Sequence, residues 1–303
     1  MARITSALHL IQTKEMKIYF PVTEMTFWRY FVPVAKEAKK RGHTPVFSLH
    51  YNAKYNNPCS TNNRRVCDKL VHDHEFGYAW DGDVTICVEG IGAKRSSVSY
   101  ALTYMYDFSG LYKGYIDHVN HVVLPSEYFA KFFNCVSDKN LYLGCPKYDV
   151  DIDPADVYKK YNLTNEKKYA LVVYPRARDI GKVDISKICK DLQEEGYTPL
   201  LKTRGKDPIR SEHGSYINFA DESWYPHTSM ELLTICDKVI NTGSSLIKEA
   251  AMLGKQHLVT NYNVKPDSCN EMPVLYSENA RDYLGPHGSA SERILDHIEA
   301  NYA

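Results

Sequence analysis

The sequence predicts an α/β protein built from two doubly wound, Rossmann-like halves, each of them a parallel sheet covered by helices. Short apolar runs alternate with amphipathic stretches along the 303 residues, which is typical of parallel βαβ units. The alternation breaks once, over 144–168, a charged stretch with two prolines, and then starts again. A chain of this length also has room for two domains of ordinary size.

The break in the pattern sets the predicted domain boundaries. We expect an N-terminal arm over 1–16, a first domain over 17–147, a linker over 148–167 and a second domain over 168–303. The arm lacks the apolar block and the small-residue cleavage site of a secretory signal, so we do not expect it to be a signal peptide.

The strands of the first half are predicted from runs of apolar, β-branched and aromatic residues between polar turns. The stretch 27–41 has a helical apolar period, carries Pro33 near its first turns and stops at Gly42, a typical helix C-terminus. A polar loop, 51–65, follows the second strand. The predicted strands are 17–22, 44–49, 83–88, 98–106, 120–125 and 141–144.

The second half repeats this alternation. Helical periods predict helices over 184–196 and 230–236, a third after the loop 242–245, and a closing helix over 291–302. The predicted strands are 168–175, 198–204, 216–220, 237–242 and 256–261.

Composition is typical of a globular protein in water, with 44% hydrophobic and 24% charged residues. No uncharged apolar run reaches the roughly 18 residues that a membrane span needs. The eight cysteines show no C-x-x-C spacing and several lie inside apolar runs, which indicates buried thiols in a reducing compartment. We therefore expect a cytoplasmic protein without a metal site.

Charge is unevenly distributed although the net charge is zero. Residues 1–66 carry 11 Lys and Arg against three acids, and the rest of the chain balances this excess of +8. The excess is either a solvated helix face or a basic rim for an anionic partner. Tyr55, Arg64 and Arg65 are residue types that bind a phosphate backbone, so we predict that they hold an anionic acceptor, with DNA as one candidate.

A small polar loop opens the helix that follows strand 237–242. Gly243 allows close approach of the backbone, and helix N-termini with open N–H groups attract phosphate. Ser244 and Ser245 are the predicted phosphate contacts. Glu249 lies four residues after Ser245 on the same helix face, where a ribose attached to that phosphate would reach it. The alternative interpretation is an ordinary capped helix.

Two further loops carry cations at the carboxyl ends of neighbouring predicted strands. Arg176 and Arg178 follow the first strand of the second half, and Lys202 and Arg204 follow the next. Ligands of open α/β sheets bind at this edge, so the four cations could converge on a diphosphate. Solvated loop charges are the alternative.

Residues 168–261 resemble the nucleotide-binding half of GT-B glycosyltransferases, and most of all the CDP-glycerol glycerophosphotransferase and UDP-N-acetylglucosamine 2-epimerase branches. The shared pattern is GSS at 243–245, an acid at 249, and LGK at 253–255 with Gln256 where proline is usual. The segments 125–133 and 143–149 resemble the end of the first domain in those families, including its G-x-P-x-x-D run.

The resemblance implies a nucleotide-diphospho-sugar on the second domain, with Glu249 on the ribose and Ser244 and Ser245 at the phosphates. It also implies an acceptor on the first domain, chemistry in the cleft and no cofactor beyond the nucleotide-sugar. Asp107 stands where the glycerophosphotransferases have a histidine, and it is either the general base or a helix cap. Glu89 is the second candidate base. Lys248 replaces one acid of the epimerase Glu-Glu pair, which argues against epimerisation.

Three functions remain open at this stage. The first is transfer of a sugar, with a UDP-sugar as the expected donor, to an anionic acceptor; similar compact phage enzymes glycosylate hydroxymethylated DNA bases. The second is transfer of a sugar or glycerol phosphate to a teichoic-acid-like cell-surface polymer. The third is a non-catalytic nucleotide or nucleic-acid binder with the same fold.

Overall fold

The computed structural model consists of two parallel sheets with helices packed against them. Four of the predicted site residues, Tyr55, Asp107, Arg178 and Arg204, lie outside the residues that it describes. The described residues are 14–54, 56–103, 117–177, 179–203, 209–220, 224–262 and 273–303.

The first sheet has the strand order β3-β2-β1-β4-β5-β6-β7, with every neighbouring pair parallel. The central strands are rich in apolar side chains, which suits their position inside the protein. In β4, for example, every residue is buried. The strands are β1 (Lys17–Val22), β2 (Thr44–Leu49), β3 (Gly77–Tyr78), β4 (Val84–Val88), β5 (Val98–Leu102), β6 (His121–Leu124) and β7 (Asn140–Tyr142).

Three described helices accompany this sheet: α1 (Trp28–Lys40), α2 (Thr61–Asp73) and α3 (Glu127–Phe132). Helix α2 corrects the prediction that 51–65 is a loop throughout, because its last five residues form the first turns of a helix. Cys67 and Val71, four residues apart, bury one face of α2, and this apolar period begins only after the polar run ends.

The second sheet repeats the plan with the order β10-β9-β8-β11-β12, again parallel throughout. Helix α4 (Pro154–Lys160) lies within the predicted linker, which is therefore not an extended connection. The strands are β8 (Lys168–Val173), β9 (Tyr197–Lys202), β10 (Ile217–Phe219), β11 (Lys238–Asn241) and β12 (Val259–Asn261), and the remaining helices are α5 (Ile185–Glu194), α6 (Thr228–Ile235), α7 (Leu246–Met252), α8 (Ala280–Tyr283) and α9 (Ala290–Tyr302).

The last helix, α9, returns to the first sheet. Ile294, Leu295 and Ile298 belong to the same buried cluster as β1 and α1. Arg41, just after α1, adds ion pairs to acids of α9: its Nη1 lies 2.7 Å from Asp296 and 3.0 Å from Glu299. The domain boundaries stay a prediction; α9, which they assign to the second domain, contacts the first.

The G-x-P-x-x-D run holds α9 in place. The Asp149 carboxylate accepts hydrogen bonds from the backbone N–H groups of Ala290 (3.0 Å) and Ser291 (2.6 Å) and from two hydroxyls, so it caps the helix N-terminus. Gly144 has φ +93°, and a Cβ at this position would lie 3.1 Å from the Cβ of Ala290. The run therefore docks the last helix against the end of the first sheet.

Candidate functional site

The loops that follow β8, β9 and β11 begin side by side at one edge of the second sheet. Strand β8 lies between β9 and β11, so their carboxyl ends are adjacent. The backbone N–H of Tyr174 donates to the Lys202 carbonyl (2.9 Å), and the Thr242 hydroxyl donates to the Val173 carbonyl (2.6 Å). This is the sheet edge at which open α/β proteins bind their ligands.

The described cations of this edge are partly enclosed. Lys202 is 3% exposed and its ammonium donates to the neighbouring Thr203 carbonyl. Arg176 is half-buried, and its carbonyl accepts from the Asp179 N–H at 2.8 Å. Convergence of these side chains with Arg178 and Arg204 on one diphosphate stays a prediction, since the latter two lie outside the described residues.

Asn241 fixes the shape of the loop 242–245. Its side-chain oxygen accepts from the Ser244 N–H (2.9 Å), while its amide donates to the Ser244 carbonyl (3.0 Å) and to the Asn261 side chain (3.0 Å). Gly243 supplies the left-handed turn with φ +87°. The sequence predicts open N–H groups in this loop, but the Ser244 N–H is paired, because the preceding strand ends in an amide side chain.

Glu249, on α7, forms a buried ion pair with Lys147 of the turn Pro146–Tyr148. The two residues are 4% and 6% exposed. Burial by itself raises the pKa of Glu249, but the charge and hydrogen bond of Lys147 bring this pKa below its ordinary value. Burial lowers the pKa of Lys147, which favours its neutral form, whereas the neighbouring charge of Glu249 raises this pKa. Because the two groups are in direct contact, we take the pair to be ionised.

The same cluster holds buried polar atoms that the described residues do not satisfy. Neither Oε2 of Glu249 nor the hydroxyl of Tyr148 has a hydrogen-bond partner there. Arg29 of α1 and His227, which precedes α6, also lower the pKa of Glu249. The cluster therefore joins the helices of the first sheet to those of the second, with Glu249 at its centre.

No protein-family model and no curated protein matches this sequence. Solved structures do match across nearly the whole chain. The wall teichoic acid polymerase TagF has a TM-score of 0.59 at 13% identity, with 96% of this chain and 90% of that chain covered. A putative UDP-N-acetylglucosamine 2-epimerase from Listeria monocytogenes has a TM-score of 0.59 at 9% identity, covering 95% and 97%.

This chain has the GT-B fold. The predicted fold class is thereby confirmed, and the predicted resemblance to GT-B proteins is confirmed at the level of the fold. The glycotransferase of kitacinnamycin is similar as well, with a TM-score of 0.55 at 11% identity and 95% and 99% of the two chains covered. At these identities the matches establish the GT-B architecture and leave each residue's role to be argued from this chain.

The first half of the GT-B fold presents Glu89 at the carboxyl end of β4. Glu89 is half-buried and has φ +57°, a left-handed conformation that is uncommon for residues other than glycine. Its N–H donates to the Leu102 carbonyl at 3.0 Å, which ties the ends of β4 and β5 together. Its role as a base stays a prediction, and so does that of Asp107, which is outside the described residues.

Several described cations of the first 66 residues pair with acids from later in the chain. Arg64 lies on helix α2, where it pairs with Asp68 (2.9 Å) and stacks on the Tyr78 ring at 5.3 Å. Arg65 is exposed on the same helix. Arg41 binds acids of α9, as described above. Charge alone therefore gives less support to an anionic acceptor than the sequence indicated.

Sequence reasoning missed Lys147, Tyr148 and Asn241. The signal for the first two was the G-x-P-x-x-D run, which was noticed as a family pattern but not as part of the site. Among the described residues there is no group of three or more His, Cys, Asp or Glu placed to hold a metal ion. In the same part of the chain, no helix is both long and apolar enough to cross a membrane.

Proposed function

We propose that the protein is a glycosyltransferase that moves a sugar from a nucleotide-diphospho-sugar to an acceptor hydroxyl. The observation that carries this proposal is the position of Glu249. Its carboxylate is buried between the two halves of a GT-B fold, beside the loop 242–245, and one of its oxygens has no hydrogen-bond partner among the described residues. A UDP-sugar is the first donor to test, because HepE of Anabaena, in a structure with UDP-glucose, shares the fold at a TM-score of 0.51 (12% identity; 94% and 100% of the two chains covered).

The donor would lie along the carboxyl edge of the second sheet. Ser244 and Ser245 would contact the diphosphate, and Glu249 would accept from the ribose. The four cations of the neighbouring loops, Arg176, Arg178, Lys202 and Arg204, would stabilise the negative charge that grows on the leaving diphosphate.

The reaction needs a base on the acceptor side of the cleft. Asp107 or Glu89 would take the proton from the acceptor hydroxyl while that oxygen forms a bond to the anomeric carbon. The bond from this carbon to the diphosphate oxygen breaks, and its electron pair leaves with the nucleoside diphosphate. Water is the competing acceptor, so the same carboxylate should also support slow donor hydrolysis.

Two acceptor classes follow from different observations. Exposed Arg65 and the residues around Tyr55 and Arg64 suit an anionic polymer such as DNA with hydroxymethylated bases. The similarity to a wall teichoic acid polymerase favours a polyol-phosphate or saccharide acceptor. The acid partners of the basic segment make the second class at least as good a candidate as the first.

A donor screen tests the proposal directly. Thermal unfolding would be followed with UDP-, CDP- and GDP-sugars, since a ligand that binds only the folded state raises the midpoint with the logarithm of its concentration. Turnover of the donor that binds would then be measured with DNA, glycerol-phosphate oligomers and water as acceptors. The variants Asp107→Asn and Glu89→Gln separate catalysis from binding: if both keep full turnover, neither residue is the base.

A binder without catalysis is the remaining alternative. It would show the same midpoint shift with a nucleotide-sugar but no hydrolysis or transfer with any acceptor. No midpoint shift with any nucleotide-sugar would overturn both assignments.

A further inference from the structure

Two short crossovers lie flat on one face of the first sheet. Residues 79–83 connect β3 to β4, and residues 89–97 connect β4 to β5, whereas parallel strands are usually joined by a dozen or more residues that include an α-helix. Both crossovers touch β1 through a glycine. A Cβ at Gly82 would lie 2.9 Å from the Cβ of Tyr19, and a Cβ at Gly92 would lie 2.7 Å from the Cβ of Pro21. The sheet is therefore thinly covered on this face.

A hollow of about 490 Å³ opens between the two crossovers. Three residues of its lining stand at strand starts: Lys17 begins β1, Asp83 precedes β4 and Ser97 precedes β5. The hollow is thus at the amino edge of the sheet, whereas Glu89 follows the carboxyl end of β4. Because a strand rises by about 3.3 Å per residue, the length of β1 separates the two edges by roughly 20 Å. The hollow is distinct from the proposed catalytic cleft.

The lining of the hollow offers hydrogen-bond donors and acceptors together. Lys94 and Arg95 are exposed, and neither forms an ion pair with a described residue. Asp81 lies 3.6 Å from the Lys17 ammonium, and Asp83 accepts the backbone N–H of Lys17 at 2.7 Å. Each carboxylate has room for further hydrogen bonds. A ligand with several hydroxyl groups could use both kinds of partner, while a polyanion would meet two carboxylates.

An exposed indole ring stands next to the hollow. Trp80 immediately precedes Asp81 and is 63% exposed, whereas the other two tryptophans, Trp28 and Trp224, are 0% and 8% exposed. Its ring meets the His50 ring edge-on, with 5.8 Å between the centroids. Burial lowers the pKa of His50, and the nearby charge of Arg95 lowers it further. The guanidinium of the hollow is therefore close to this pair of rings.

Buried hydrogen bonds hold the ring pair in place. The Ser48 Oγ lies 2.7 Å from Nε2 of His50 and 2.5 Å from the Tyr19 hydroxyl. Tyr19 and Ser48 are both buried. Side chains fixed in this way form a preorganised support, so the indole of Trp80 rests on a rigid base.

We propose that Trp80 and the adjoining hollow form a saccharide-binding site. A sugar ring has a face of C–H groups that packs on an indole, and a rim of hydroxyls. These hydroxyls would donate to Asp81 and Asp83 and accept from the neighbouring cations. Single-stranded nucleic acid also stacks on aromatic rings, but its phosphates would face the two acids of the hollow.

The inference goes beyond the proposed function, since binding here needs neither a donor nor a catalytic base. If the protein transfers sugars as proposed above, the distance between the two edges of the sheet gives the site a role. It would hold a remote part of a saccharide chain whose end lies in the cleft. The acceptor would then be an oligosaccharide or polysaccharide.

Protection of tryptophan fluorescence from acrylamide tests the site directly, because the exposed Trp80 is the ring that the quencher reaches most easily. The probes are maltohexaose, cellohexaose, chitohexaose and a thymidine oligonucleotide, each added without donor up to millimolar concentration. We expect saturable protection by at least one hexasaccharide and none by the oligonucleotide. Asp81→Asn should weaken saccharide binding at least about tenfold, since hydrogen bonds to a charged group are lost. Asp151→Asn, at another exposed acid, should bind like the wild type.

Calorimetry with Trp80→Ala gives a second measurement that does not depend on fluorescence, and binding of the hexasaccharide should be lost. No protection by any of the three hexasaccharides overturns the inference. Binding that both Asp81→Asn and Trp80→Ala retain places the sugar elsewhere and also overturns it. Protection by the oligonucleotide alone would make the site a nucleic-acid site instead.

These outcomes are independent of the proposed function. All titrations are made without a nucleotide-sugar, so their failure leaves the donor screen and the proposed glycosyl transfer untouched. Saccharide binding by a protein that binds no nucleotide-sugar would keep the site and remove the proposed function.

Discussion

The side chain of Lys147 donates a hydrogen bond to the carboxylate of Glu249, and the pair is almost completely buried. Lys147 follows the last strand of the first sheet, and Glu249 lies on α7 of the second half. The two residues are 102 positions apart in sequence. Their contact joins the two halves at the point where we place the donor.

Removing Lys147 should destabilise the protein. In Lys147→Ala, Glu249 stays in a buried site without the ammonium, and the loss of one partner of such a pair costs about 3–5 kcal/mol. Chemical unfolding in urea measures the change. The control Lys159→Ala removes an exposed lysine of α4 and should shift the free energy of unfolding by no more than about 0.5 kcal/mol. Equal midpoints for the two variants would show that the pair does not contribute.

Asn241 should be needed both for stability and for donor binding. Asn241→Ala removes three hydrogen bonds and leaves the Ser244 N–H without its acceptor, at a cost of about 1–3 kcal/mol. The same change frees the loop 242–245, so the midpoint shift caused by the nucleotide-sugar should shrink. Asn218→Ala, at an exposed position on β10, is the control. Unchanged binding in Asn241→Ala would argue against phosphate contacts from this loop.

Asp149 should hold α9 on the first sheet. Asp149→Ala removes the acceptor for the first N–H groups of the helix and a negative charge at its positive end, together about 1–3 kcal/mol. Limited proteolysis should then cut near α9 sooner than in the wild type. Asp151→Ala changes an exposed acid two residues away and should be cut like the wild type. Equal rates in both variants would count against the cap.

Stability should fall in mild acid because of two histidines between α9 and the first sheet. The His121 Nε2 lies 2.6 Å from the Tyr302 hydroxyl, and the His297 Nδ1 lies 2.8 Å from the Tyr100 hydroxyl. Burial lowers the pKa of both, and for His121 the charge of His297 lowers it further. Below their ordinary pKa of 6.5 the unfolded chain takes up protons that the folded protein refuses, so the free energy of unfolding decreases as pH falls through this range.

Urea unfolding at about pH 7.5 and about pH 5.5 measures this dependence. His297→Gln should reduce the difference between the two conditions without abolishing it, since burial also lowers the pKa of His50 and His74. His257→Gln, at an exposed position, is the matched control. A full pH dependence in His297→Gln would mean that this histidine titrates equally in both states.

The sheets were readable from the sequence because buried parallel strands have a local signature. The predicted bounds of β1 and β2 match the structure residue for residue, since each is a compact apolar run between polar residues. The sequence predicts a loop up to residue 65 because the first turns of helix α2 are uniformly polar. Helix α4 has a single buried residue, Val157. One apolar position does not produce a helical period in the sequence, so this helix was not predicted.

The site was less accessible to sequence reasoning. Glu249 and the loop 242–245 were found because a strand, a small polar loop and a helix follow each other directly. Lys147 was not found, because it contacts Glu249 only in the folded protein, across 102 positions in sequence. No local sequence pattern indicates such a contact. The role of Asn241 depends on the exact direction of one amide at a strand end, which spacing does not reveal.

The return of α9 to the first sheet limits how this protein can be recombined with others. A chimera that takes everything after residue 168 from another GT-B protein would bring a foreign last helix against α1 and the turn Pro146–Tyr148. To exchange the second half, two junctions are needed, one between α4 and β8 and one before residue 290. With these junctions α9 and the first-sheet surface that it contacts come from the same protein.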